Sequence, residues 1–129
     1  MTGTLKFELV APERKLAEAE PQAVRIPAQE GELTAMPQHA PLLTTLRPGF
    51  VILVGAEEAR YFVTGGFAEI GPEGVAVLAE EAVPEDELTR DWLDERISRE
   101  ETKLAEVGDE RRQIVDQRLR DLRAAAEAA

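Results

Sequence analysis

Leu5, Phe7 and Leu9 alternate with Lys6 and Glu8, the two-residue period of a strand with one wet face. Short apolar runs recur at Ala23 to Ile26, Leu42 to Leu46, Phe50 to Val54, Arg60 to Thr64, Phe67 to Ile70 and Val75 to Ala79. Turn chemistry separates them. Arg47-Pro48-Gly49-Phe50 predicts a type II turn with Gly49 at positive φ, and Gly71-Pro72-Glu73-Gly74 predicts a second tight connection. Several short strands at this spacing indicate an antiparallel sandwich or barrel. Phe50 to Val54 is apolar on both faces, so it is expected to sit centrally, with a neighbouring layer or a partner over each side.

The grammar changes at Pro84. All eight prolines and eight of the nine glycines lie at or before it, and only Gly108 lies beyond. A long stretch without them, rich in Ala, Leu, Glu and Arg, favours helix. Pro84-Glu85-Asp86-Glu87 places three acids where a first helical turn favours them, and a helix is predicted from there to about Val107. Leu93, Ile97, Leu104 and Val107 form its stripe, interrupted by Glu100, with Asp86–Arg90 and Glu95–Arg99 as i,i+4 pairs. Gly108 is expected to end it and Asp109 to cap a second helix, whose Val115, Leu119, Leu122, Ala126 and Ala129 step by four and three. The predicted class is α+β: an N-terminal antiparallel β-sandwich over residues 1–84, then a C-terminal antiparallel two-helix hairpin over 85–129. So narrow a seam leaves the hairpin marginal alone and free to move between docking sites.

Charge and residue usage narrow the function. A net charge of −11 would repel nucleic acid and anionic lipid, so a protein surface with basic patches is the expected partner. There is no cysteine, which removes disulfides and thiolate chemistry. The longest strongly apolar run, Phe50 to Val54, is far short of the roughly 20 residues that span a bilayer. The Met1-Thr2-Gly3-Thr4-Leu5-Lys6 start lacks the pattern of a signal peptide, so the protein is expected to stay where it is made.

Catalytic equipment is sparse. The single histidine, His39, lies in a loop of the β half, and the single serine, Ser98, falls in mid-helix between Ile97 and Arg99, so a serine-hydrolase triad is not expected. One histidine without clustered ligands is a poor zinc site, and His39 reads as a structural or interface residue. Gly65-Gly66 matches neither a dinucleotide fingerprint nor a P-loop and reads as a sheet corner. Glu57-Glu58 and Glu80-Glu81 are ordinary solvated pairs among 26 acids. No cofactor or metal is expected.

One segment is unlike a generic sandwich loop. Glu30-Gly31-Glu32-Leu33, then Met36-Pro37, His39-Ala40-Pro41-Leu42-Leu43 and Leu46-Arg47-Pro48-Gly49 follow in order. This signature resembles that of the epsilon subunit of F-type proton-translocating ATP synthase, called delta in mitochondria. Leu9-Val10-Ala11-Pro12-Glu13, Thr64-Gly65-Gly66-Phe67-Ala68-Glu69 and Val77-Leu78-Ala79-Glu80 extend the likeness over most of the first half. The resemblance implies a sandwich of about ten strands on the central stalk, bound to the gamma subunit and resting on the ring of c subunits, so that torque passes through it. It implies a non-catalytic subunit held peripherally at the cytoplasmic face of the inner membrane, without insertion. On that pattern Glu30, Glu32 and His39 face the polar loops of the c ring, and Pro41, Leu42 and Leu43 lie at the gamma contact. Read from the residues alone, Glu30 and Glu32 are ordinary turn polarity.

The hairpin of such proteins can also extend toward the alpha and beta subunits, where a basic second helix blocks ATP hydrolysis. Arg111, Arg112, Arg118, Arg120 and Arg123 fit that part, and with Glu110, Asp116, Asp121 and Glu127 interleaved they fit a solvated helix face as well. Some bacterial members bind ATP through a Leu or Ile, Asp, two residues, Arg, Ala pattern. Here Leu93-Asp94-Glu95-Arg96-Ile97-Ser98 brings the arginine one residue early, a turn of about 100° on a helix. Asp94 and Arg96 are therefore nucleotide candidates that depart from the pattern, and calorimetry with MgATP is expected to show no binding. Two other functions stay open at this point: a nucleotide-sensing regulatory module, and an unrelated sandwich adaptor.

Overall fold

The computed structural model describes residues 3–55 and 58–128, which form ten strands, one 3₁₀ turn and two α-helices. The expected last seam position, Ala129, and Glu57 of the Glu57-Glu58 pair lie outside the described residues. The chain divides into two compact units, Met1–Glu85 and Asp86–Ala129.

In the first unit the alternating pattern becomes β1 (Lys6–Ala11), followed by β2 (Arg14–Ala19), β3 (Ala23–Ala28) and β4 (Gly31–Ala35). After the proline-braced loop come β5 (Leu42–Leu46), β6 (Gly49–Val54), β7 (Ala59–Val63), β8 (Gly66–Ile70), β9 (Gly74–Ala79) and β10 (Ala82–Pro84). The order β10-β7-β6-β3 continues to β4 on one side, while β5-β8-β9-β1-β2 forms the other half. One residue pair, Ala28 with Leu46, joins the halves. Leu5, Phe7, Leu9, Val24, Ile26, Val51, Leu53, Ile70 and Val77 all point into the buried core, so each strand's apolar parity is used once, on its inner face. As expected, β6 is central, between β7 and β3, with Val51 and Leu53 buried and Phe50 and Ile52 half-buried. Phe50 is covered edge-on by Phe62 at 5.4 Å and by the Arg60 guanidinium at 4.6 Å.

Two expectations about the sandwich change, while beyond the seven runs read from the pattern the strands β2, β4 and β10 complete the expected ten. β2 is an edge strand with no buried residue, so its side chains carry no burial period to read. β1 and β9 pair in parallel, Lys6 beside Gly74 through Val10 beside Leu78, the one parallel ladder among the described residues. Gly49 is not in the left-handed region and opens β6 instead of turning. Its lack of a side chain answers a close approach, because a Cβ there would sit 2.8 Å from Pro27 Cβ. The connection at Gly71 to Gly74 does close tightly, Gly71 N–H donating to Gly74 O at 2.9 Å.

The acids of 85–87 form a separate 3₁₀ turn, Glu85–Glu87, rather than the first turn of a helix. The helix α1 (Arg90–Glu106) starts after Thr89, whose hydroxyl accepts from Trp92 N–H at 3.1 Å and caps it. That cap outcompetes the earlier start, and Arg90 pairs with Asp94 at 3.8 Å rather than with Asp86. The Glu95–Arg99 pair forms as expected, at 2.6 Å. Val107, in extended conformation, is the C-cap, and α2 (Asp109–Ala128) begins at Asp109 itself. Val115, Leu119, Leu122 and Ala126 of the seam are all buried.

Candidate interaction surfaces

Three exposed features carry the candidate residues. The first is the β3–β4 turn. Gln29 N–H donates to Thr45 O at 2.9 Å and pins the turn to the Leu46 end of β5, leaving Glu30 at its exposed tip. Glu32, on β4, is held by the Arg25 guanidinium of β3, so its charge is largely compensated while that of Glu30 is not.

The second is the loop after β4. Gln38 takes φ of 67°, His39 N–H donates to Met36 O at 3.1 Å, and Gln38 N–H donates to Pro72 O at 2.8 Å, binding the loop to the β8–β9 turn. The His39 ring spends Nδ1–H on Ala40 O at 2.6 Å. Glu30, Glu32 and His39, the three residues assigned by resemblance to one set of loops, are spread along β4 and its flanks. Glu30 and His39 sit beyond opposite ends of a five-residue strand, roughly 13 Å long. His39 instead neighbours Pro41, Leu42 and Leu43, which line an open groove of about 910 Å³ with Glu69 and the β8–β9 turn.

Pairing register then exposes what the linear pattern hides. On the outer face, Phe67 lies opposite Leu78 and Thr45 opposite Phe67, while Val10 lies beside Leu78. Leu43 is 68% exposed, Phe67 51% and Leu78 50%. Phe67 and Leu78 were missed from sequence because each reads as one more strand residue. The signal that could have found them is parity: Phe67 and Leu78 occupy the phase opposite to buried Ala68, Ile70, Val75 and Val77. Glu8, on the same face, is bound by Lys15 at 2.9 Å. The carboxylates of Glu18 and then Glu8 hold the Lys15 ammonium above its ordinary range, and Lys15 lowers Glu18 in return.

The hairpin arginines are mostly engaged at home. Arg118 reaches Glu100 of α1 at 3.5 Å, Arg123 reaches Glu101 at 2.9 Å, and Arg120 pairs with Asp116 at 3.6 Å. No ion pair holds Arg111 or Arg112 among the described residues. The nucleotide candidates do not converge. Asp94 pairs with Arg90, and the Arg96 guanidinium lies 3.8 Å over the Trp92 ring, with Nη1 donating to Trp92 O at 3.3 Å.

Glu100 interrupts the apolar stripe and is buried at 5% exposure, with Oε1 3.2 Å from Lys103 Nζ and Oε2 buried without a hydrogen bond. An ion pair in that setting holds the helices in register at a desolvation cost. Arg118→Leu alone is expected to destabilise the hairpin by about 1–3 kcal/mol, because Glu100 loses its cross-helix partner. Glu100→Leu combined with Arg118→Leu is expected to stabilise it by about 1–4 kcal/mol. Amide exchange in α2 of the full chain reads both, and a double variant less protected than Arg118→Leu would refute the assignment.

The comparisons agree with this architecture. The family described as "ATP synthase, Delta/Epsilon chain, beta-sandwich domain" matches residues 4–85. The chain is 56% identical over 104 residues to the ATP synthase epsilon chain of Ruegeria sp. (strain TM1040), covering 79% of this chain and 75% of that one. It is 46% identical over 124 residues to ATP synthase epsilon chain 1 of Cereibacter sphaeroides (strain ATCC 17023), covering 95% and 93%. Its fold resembles a chain in the cryo-EM structure of the Euglena gracilis mitochondrial ATP synthase OSCP/F1/c-ring, with TM-score 0.70, 22% identity, and coverage of 95% and 81%. A chain of the Tetrahymena thermophila mitochondrial ATP synthase central stalk and c-ring gives TM-score 0.54 at 15% identity, covering 69% of each.

Proposed function

The chain belongs to the family of ATP synthase delta and epsilon chains, and from that premise we propose that it is a non-catalytic rotor subunit of the central stalk, coupling c-ring rotation to ATP synthesis through gamma. The observation that carries this reading is the separation of two exposed surfaces on one stiff sandwich: the acidic β3–β4 turn at one end, and the Pro41 to Leu43 flank beside the groove. A body gripped between a ring and a shaft needs two such surfaces and a close-packed core that resists shear. Glu30 and Glu32 are assigned to the polar loops of the ring. Pro41, Leu42 and Leu43 are assigned to gamma, and His39, by its place at that end of β4, goes with them rather than with the ring. The subunit is held peripherally at the cytoplasmic face of the membrane; no helix among the described residues is long and apolar enough to cross one.

In vesicles containing the reassembled enzyme, Glu30→Lys with Glu32→Lys is expected to lower proton-driven ATP synthesis several-fold while hydrolysis by the detached catalytic head is unchanged. Full coupling in enzyme lacking this chain would overturn the reading.

A regulatory role for the hairpin rests on Arg111 and Arg112, which are exposed at the start of α2 and available to an acidic segment of the alpha or beta subunits. Deleting residues 85–129 is expected to raise the enzyme's ATP hydrolysis rate. An unchanged rate would leave those arginines as a solvated face.

A further inference from the structure

Strand pairing leaves one backbone edge open. β3 and β4 run antiparallel, with Pro27 beside Glu32 and Arg25 beside Thr34. Opposed residues in such a ladder alternate between pairs that exchange hydrogen bonds and pairs whose N–H and C=O groups turn outward. Pro27 has no N–H to give, and its carbonyl accepts from Arg47 N–H at 2.9 Å just past β5, so the Pro27–Glu32 pair is of the second kind. Glu32 therefore turns its N–H and C=O away from β3, and the two-residue period turns those of Thr34 the same way. Among the described residues no second strand pairs with β4 and no loop backbone bonds to Glu32 or Thr34, both of which are exposed.

The strands at the two ends of the order are guarded against such addition. β2 carries Arg14 and Lys15 and is bulged where the register steps from Leu9 beside Ala17 to Val10 beside Lys15. β10 has three residues and ends in Pro84. β4 has none of these devices over its five residues, and on its inner face half-buried Leu33 packs against the core.

We propose that the open edge of β4 takes one added strand from a partner polypeptide, held by the N–H and C=O groups of Glu32 and Thr34. The register prescribes what that segment carries. Its residue beside Leu33 faces inward and is apolar, because it extends the cover over the core, while those beside Glu32 and Thr34 face water and are polar. Glu32 is already held by Arg25, whereas Glu30, at the tip beyond the same end of β4, has no ion pair among the described residues, so the segment carries a basic residue at that end. A second copy fits worse, because it brings another chain of net charge −11 to an edge flanked by acids. Main-chain bonds give such a contact its affinity, and the alternate side chains give it its choice of partner. This docking belongs to the sandwich itself and does not rest on the central-stalk reading.

The test is amide exchange in the isotopically labelled full-length chain, titrated with a short synthetic peptide of alternating valine and threonine that has lysine at both ends. The amides of Glu32 and Thr34 are expected to exchange at least about tenfold more slowly with the peptide at saturation. The same peptide with glutamate in place of lysine is expected to slow them less than about twofold. Thr34→Pro removes one outward N–H and leaves the bonds to β3 in place, so it is expected to keep the wild-type unfolding midpoint within a few degrees and to abolish the slowing at Glu32. No slowing at Glu32 and Thr34 in the wild-type chain overturns the proposal, whatever the proline variant does. Equal slowing by the glutamate peptide overturns the basic partner, and slowing that persists in folded Thr34→Pro overturns the assigned edge. Slowing that grows with chain concentration in the absence of peptide makes the occupant a second copy and overturns the proposal.

Discussion

Gly66→Ala is expected to lower the stability of the sandwich by about 3 kcal/mol or more, with a fall in Tm of roughly 10–25 °C. Two independent costs meet at this residue. Its φ of 129° lies where only glycine is at ease, and a Cβ there would stand 2.1 Å from Leu78 O and 2.9 Å from Ala79 Cα. Both obstructing atoms are backbone of β9, which cannot step aside without breaking the β8–β9 ladder that pairs Gly66 with Ala79. Gly71→Ala provides the contrast. Nothing lies within 4 Å of a Cβ there and φ is not positive, so that variant is expected to melt within about a degree or two of wild type or slightly above it. Thermal unfolding of both variants by circular dichroism separates the explanations. A Gly66→Ala protein melting with wild type would show that β9 yields, and the corner would not be rigid.

Phe7→Ala is the second large effect, expected at about 3–5 kcal/mol. Phe7 is, with Phe62, one of the two largest fully buried side chains, and it lies on β1 between β2 and β9. Its register partners are Ala19 and Val75, both small, so the surrounding backbone cannot collapse into the vacated volume without moving two ladders. Urea unfolding is expected to show a lower midpoint with an unchanged slope, the sign of lost packing rather than of a changed unfolded state. Phe7→Leu, which keeps most of the volume, is expected to cost about 1.5 kcal/mol or less. If the alanine and leucine variants unfold at the same midpoint, Phe7 is not a keystone of the core.

Much of the molecule was legible from residue order because its elements report locally. Leu5, Phe7 and Leu9 alternate because one face of β1 is buried. Val115, Leu119, Leu122 and Ala126 repeat at helical spacing because one stripe of α2 is covered. The acidic turn at Glu30 and the proline-braced stretch to Leu43 were visible as departures from those periods. Less was visible where competing local signals met. The acids at 85–87 favour a helix start, but Thr89 supplies a hydroxyl to an N–H three residues on, and the helix begins there. Gly49 follows a proline as a turn glycine would, yet its smallness serves contact with Pro27.

What the order of residues determined by itself was which side chains each element buries, because a strand's period of two and a helix's period of 3.6 are properties of the backbone. What only the tertiary structure decided was which elements become neighbours. The parallel pairing of β1 with β9 and the place of β10 beside β7 follow from ladders between residues well separated in the chain. Phe67 and Leu78 are eleven positions apart and unremarkable in order; register alone sets them side by side, because strand pairing converts separation along the chain into about 5 Å of contact across it.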